Sequence, residues 1–106
     1  MAKRNYYIQN EIVLCTYAAM YDADDFGGTF RIEDLTRRSP ASIRMKIQNI
    51  ASMLDEASIR RYNNISPLTG LPHGQSGRVT NWKAVEPLTK LPKQVFLHQC
   101  LKIVGL

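Results

Sequence analysis

The sequence is short of the residues that most chemistry needs. It has two histidines, His73 and His98, and two cysteines, Cys15 and Cys100. No two of the four are spaced for a zinc site, and His98 and Cys100, two apart, cannot share a helix face. No hydroxyl or thiol has an evident base partner, and no carboxylate pair sits in a convincing site context. An enzyme is therefore not expected, nor a metal or cofactor. The acidic run Asp22-Ala23-Asp24-Asp25 lacks the twelve-residue spacing and closing glutamate of a calcium loop. There is no apolar run of about 18 residues, so no membrane span is expected. The opening MAKRNYY lacks the apolar stretch of a signal peptide. The expected compartment is the cytoplasm, where isolated cysteines read as buried free thiols, with a disulfide as the alternative.

What is present suits one folded domain over residues 1–106. The apolar fraction is 44% and the charged fraction 22%, values typical of globular chains, and the length supports a modest single core. Net charge is +5, unevenly spread. Residues 1–35 hold three basic and six acidic side chains; residues 36–106 hold eleven basic and three acidic. A basic region of this kind suits contact with a polyanion, most simply nucleic acid.

The basic region begins at RRSPASIRMKIQNIASML, Arg37 to Leu54, the stretch around which the chain is expected to be organised. Ser39 is a good N-cap, its hydroxyl able to accept from a backbone N–H of the first turn. Pro40 then falls at the first helical position, where a missing N–H costs nothing. Ile43, Ile47, Ile50 and Leu54 follow at helical spacing and form one apolar stripe. Arg44, Met45, Gln48, Asn49 and Ser52 lie opposite. That polar face is either a solvated surface or a reading surface. Arginine pairs bidentately with guanine, glutamine and asparagine with adenine, and flanking arginines meet phosphates.

The rest of the chain reads as helices and one long loop. Residues 8–21 are expected to form a first helix with Val13, Tyr17, Met20 and Tyr21 on its core side. A short helix over residues 31–37 follows, with Phe30, Ile32 and Leu35 as its apolar members, and the third helix runs from Pro40 to Ala57. This order predicts a mainly α fold, a small helical domain with a helix-turn-helix-like core over 8–57. Residues 58–79 are expected to be a loop rich in glycine, proline and serine. It opens with Arg60-Arg61-Tyr62-Asn63-Asn64, a solvated exit or a phosphate contact. Residues 80–106 carry a short helix capped by Thr80 and stopped before Pro87, with Trp82 packed on the core. An apolar C-terminal helix from Pro92 to Val104 is expected to be largely buried, in this domain or against a partner.

Three stretches resemble a known family. An opening helix from Glu11 to Tyr21, the phrase RSPASIRMKIQNIASML, and the later GLPHGQSGRVTNWKAV together resemble the N-terminal DNA-recognition domain of HNH endonucleases, including modification-dependent restriction enzymes. The resemblance implies double-stranded DNA binding with preference for a modified base. On the motif it singles out Arg38, Ser39, Ser42, Lys46 and Asn49. The sequence departs from those nucleases in that no HNH motif follows: the chain is either an excised domain or a stand-alone protein with a different use.

Two expectations follow. The first is a non-catalytic DNA-binding domain. In it Arg44, Gln48 and Asn49 face base edges with Ser42 beside them, and Arg37, Arg38, Lys46, Arg60 and Arg61 neutralise phosphates. The loop over 66–78, ending at Arg78, adds a second contact. The second is a protein-interaction module, such as a phage or mobile-element inhibitor of a host defence complex, or a homodimer formed through the C-terminal helix.

Overall fold

The computed structural model describes the backbone of residues 2–67 and 76–105, and the side chains of residues 9–67 and 82–105. Five α-helices follow one another: α1 (Ala2–Met20), α2 (Phe30–Thr36), α3 (Pro40–Glu56), α4 (Ser76–Thr89) and α5 (Lys93–Val104). A 3-10 turn over Ala23–Phe26 joins α1 to α2. The fold is mainly helical, with no strand among the described residues.

The central element is α1 and not the expected α3. All ten residues from Glu11 to Met20 are buried, and α1 packs against each of the other four helices. A helix enclosed on every side must be apolar or small all round. EIVLCTYAAM meets that condition apart from Glu11 and Thr16. Burial raises the pKa of Cys15, with the nearby Glu11 carboxylate adding to the effect. Burial likewise lifts Cys100 on α5 to about 12. Both thiols are free and buried. Around α1, Tyr17 packs edge-on against Phe26 and Phe96. Its hydroxyl donates to Asp25 at 2.7 Å.

The acidic run is the turn itself. Asp22 accepts from the Asp24 N–H at 2.9 Å, and Gly27 closes the 3-10 turn at φ 108°, a left-handed conformation that glycine adopts without a Cβ penalty. A side chain there would also meet Arg31. In α2 only Ile32 is fully buried; Phe30 is exposed, with the Arg31 guanidinium over its ring.

The start of α3 is the one the sequence predicts. Ser39 Oγ accepts from the Ser42 N–H at 3.1 Å, with Pro40 next in line. The stripe of Ile43, Ile47, Ile50 and Leu54 is buried. The far half differs from expectation: the five residues Ile50 to Leu54 are all buried. Ser52, expected on the polar face, is enclosed and donates to Glu56 at 3.3 Å. The helix ends with Ser58 at φ 59°. The Ser58 N–H bonds Asp55 O and the Ile59 N–H bonds Leu54 O, the paired 5→2 and 6→1 bonds of a Schellman motif.

The chain then runs back along the molecule. The Tyr62 N–H bonds Met20 O at 2.7 Å. Asn63 Nδ2 lies within hydrogen-bonding distance of the Ala18, Ala19 and Tyr21 carbonyls at 2.7–3.0 Å. Asn63 thus closes the C-terminus of α1 from more than forty residues away, meeting carbonyls that no turn of α1 follows to satisfy. The central part of the expected loop, residues 68–75, lies outside the described residues. Its end is already helix: α4 begins at Ser76 and runs through Pro87 to Thr89. The expected stop before Pro87 is not met: α4 takes Pro87 into its last turn and ends two residues after it. Trp82 packs against the core, as expected. In α5 only Phe96 and Cys100 are fully buried, so this helix buries one face and not the whole expected for it.

Candidate nucleic-acid interface

The exposed part of α3 is its N-terminal half. At 100° per residue, Arg44 and Gln48 form one edge of that face. Ala41, Ser42, Met45 and Asn49 lie across its middle, and Lys46 marks the other edge. Arg44 is exposed, Met45 is 51% exposed, and Lys46, Gln48 and Asn49 are half-buried. Ser42 is exposed; its oxygen accepts from the Ser39 hydroxyl at 3.1 Å. Asn49 is engaged within the protein. No aspartate or glutamate occurs from Pro40 to Leu54. The positive end of the helix dipole adds to the side-chain charge here.

The two arginines before α3 have different jobs. Arg37 takes the left-handed conformation at φ 60° and closes α2 through its N–H to Glu33 O. Its side chain makes no ion pair or hydrogen bond among the described residues. Arg38 is anchored instead. Its guanidinium pairs with Glu11 of α1, a carboxylate only 4% exposed, while Arg38 is itself 53% exposed. The Glu11 and Arg38 pair spans from α1 to the turn before α3. Arg38 therefore joins the turn before α3 to the central helix.

The second pair of arginines repeats the pattern at the other end of α3, which is itself about 25 Å long at 1.5 Å per residue. Arg60 is exposed, its guanidinium over the Tyr62 ring at 5.2 Å; Tyr62 stacks in turn on Tyr21. Arg61 is 12% exposed and bonds both oxygens of Asp55 at 2.8 and 3.1 Å. It also donates to Asn63 Oδ1 and Ile65 O. Arg61 holds the returning segment, its guanidinium being engaged within the protein. The Arg78 side chain lies outside the described residues. The structure thus gathers Arg37, Ser42, Arg44, Lys46 and Gln48 at one end of α3, and leaves Arg60 at the other.

Beside Arg44 and Gln48 is a half-open cleft of about 340 Å³ between α2, α3 and the returning segment. Ile43, Ile47 and Ile65 are its large apolar lining residues, and Glu33 of α2 and Arg44 of α3 also line it. Ser66 also lines the cleft, so the chain leaves for the Gly-Pro-Ser loop from beside the exposed face of α3. Sequence reasoning missed Glu33 and Ile65, because nothing in their spacing points to α3.

No helix among the described residues is long and apolar enough to cross a membrane. The chain matches no family model, no curated protein and no solved structure.

Proposed function

We propose that this chain is a non-catalytic domain that binds double-stranded DNA through the N-terminal half of α3. One observation carries the reading: the part of α3 left uncovered by the fold is its cation-bearing, acid-free end. There Arg37 and Arg44 point outward without ion pairs among the described residues. A helix fits the major groove, and N-terminal residues of a recognition helix meet base edges there. The short link Arg37-Arg38-Ser39 between α2 and α3 is the connection a helix-turn-helix arrangement uses. The resemblance to recognition domains of modification-dependent HNH endonucleases points to the same partner and to a preference for a modified base. In this reading Arg44 and Gln48 face bases, Ser42 and Met45 lie against the groove, and Arg37 meets phosphate. Arg38 keeps α3 in position.

The test is fluorescence anisotropy with unmodified and cytosine-methylated duplexes at two salt concentrations. Binding that weakens steeply with salt is expected. The Arg37→Ala/Arg44→Ala variant should bind more weakly with unchanged fold and, through the phosphate contact of Arg37, lose about one unit of log–log salt slope. Affinity unchanged in that variant would remove this face from the interface. A higher affinity for the methylated duplex would make the domain a modified-base reader.

A second reading, a protein-interaction module, draws on α5. Val95 is 46% exposed, and Leu97, Leu101, Ile103 and Val104 are only partly covered. A stable protein complex or homodimer with no DNA affinity at low salt would favour it.

A further inference from the structure

The cleft beside α3 has a rim that selects by charge. Glu33 of α2 and Arg44 of α3 both line it, with no ion pair between them. A phosphate entering the cleft meets the Glu33 carboxylate; a lysine or arginine side chain meets the Arg44 guanidinium. A neutral body escapes both penalties. The apolar lining of Ile43, Ile47 and Ile65 favours an apolar face laid against it. Ionised Glu33 can only accept hydrogen bonds, so the body must bring a donor, while the Gln48 amide can both donate and accept. A volume of about 340 Å³ falls at the lower end of the range for small-ligand sites, about 300–1,000 Å³.

We propose that this cleft takes a single unstacked nucleobase carrying an exocyclic amino group, adenine or cytosine. The inference rests on the DNA-binding reading above and adds a site to it. The base lies on the three isoleucines, in the manner in which extruded bases are held between apolar or aromatic side chains. Its amino group donates to Glu33, as carboxylates accept from cytosine N4, and Gln48 completes the edge. Arg37, at the start of α3, holds a flanking phosphate, and Arg44 at the rim faces the neighbouring base. A carboxylate on an otherwise cationic face then has a use: it refuses phosphate and accepts an amine.

The experiment compares three duplexes of one sequence by anisotropy: fully matched, with one unpaired adenine, and with one unpaired thymine. An unpaired base removes most of the extrusion cost. The adenine bulge should therefore bind about tenfold more tightly than the matched duplex, and the thymine bulge, lacking the amino group, should show no such gain. Glu33→Ala should abolish the adenine preference and leave matched binding at or above that of the wild type. Equal affinity for all three duplexes overturns the base site and leaves the DNA-binding reading standing. A preference for adenine that survives in Glu33→Ala also overturns it. No binding to any duplex overturns both.

Discussion

Two Arg-Arg pairs bracket α3, and they divide their labour the same way. In Arg37-Arg38 the second arginine is drawn to the buried Glu11, and the first points out. In Arg60-Arg61 the second is clamped by Asp55, Asn63 and Ile65, and the first lies over Tyr62. The pairs differ in what surrounds the outward member. Arg37 stands beside an exposed helix end with Arg44 and no acid from Pro40 to Leu54. Arg60 stands beside two stacked tyrosines and the structural clamp. Four basic side chains therefore reduce to two structural struts and two surface cations, and only Arg37 has the neighbours of a binding face. A cluster of positive charge in a sequence overstates the charge offered to a partner.

The clamp at Arg61 gives the largest expected effect. Its guanidinium makes a bidentate pair with Asp55 and two further bonds, and its removal also frees Asn63 from its hold on α1. Arg61→Ala should destabilise the fold by about 3 kcal/mol, from several charge-assisted hydrogen bonds lost at a poorly exposed position. Arg61→Lys should recover little, because an ammonium cannot reproduce the planar fork. Urea midpoints of the three proteins decide this. A midpoint for Arg61→Ala within error of wild type would put Arg61 back among the surface cations and break the comparison.

Arg38 comes next. Its loss leaves Glu11 buried without a counter-charge, and stranding one member of a buried pair is costly. Because Arg38 is about half exposed, the expected loss is reduced to about 2 kcal/mol. The sharper measurement is a double-mutant cycle. Glu11→Gln in the Arg38→Ala background removes the stranded charge and should restore about half of the loss. Additive effects would mean that the ion pair carries no coupling. The cycle also matters for DNA work: an Arg38 variant that binds weakly has lost the seating of α3, so the binding face is tested at Arg37 and Arg44.

The contrast also shows what could be read from the chain. The start of α3 was legible because capping is local: Ser39, Pro40 and the isoleucine spacing lie within fifteen residues of one another. The mainly helical class followed from the same periodicity. The identity of the central helix was not legible. Glu11 sits inside EIVLCTYAAM, and a carboxylate there reads as a surface position until Arg38 is seen across from it. The role of Asn63 depends on the end of α1, whose carbonyls it reaches from more than forty residues away, and Arg61 acts through Asn63. Arg60 and Arg61 are identical in composition and adjacent in sequence; only tertiary partners separate them. The cleft needs α2, α3 and the segment after α3 together, and no spacing rule joins Glu33 to Arg44 and Ile65.

The smallest expected effect is the most discriminating, because stability and binding should move in opposite directions. Arg37 holds a left-handed φ of 60°, where a Cβ is unfavourable and glycine is at ease. Its side chain makes no ion pair or hydrogen bond among the described residues. Arg37→Gly should thus stabilise the protein by about 0.5 kcal/mol, the relief of strain being partly offset by the greater freedom of glycine in the unfolded chain. The same change deletes one of the two outward cations at the start of α3, so affinity for duplex DNA should fall. It should also become less sensitive to salt, by about one unit of log–log slope. Arg60→Ala is the control: stability within about 0.5 kcal/mol of wild type, as for most surface changes, and affinity unchanged. A variant at position 37 that is more stable and binds less tightly assigns its arginine to the partner and not to the fold. If Arg37→Gly and Arg60→Ala weaken binding equally, the two ends of α3 act alike, and the interface extends along the whole helix.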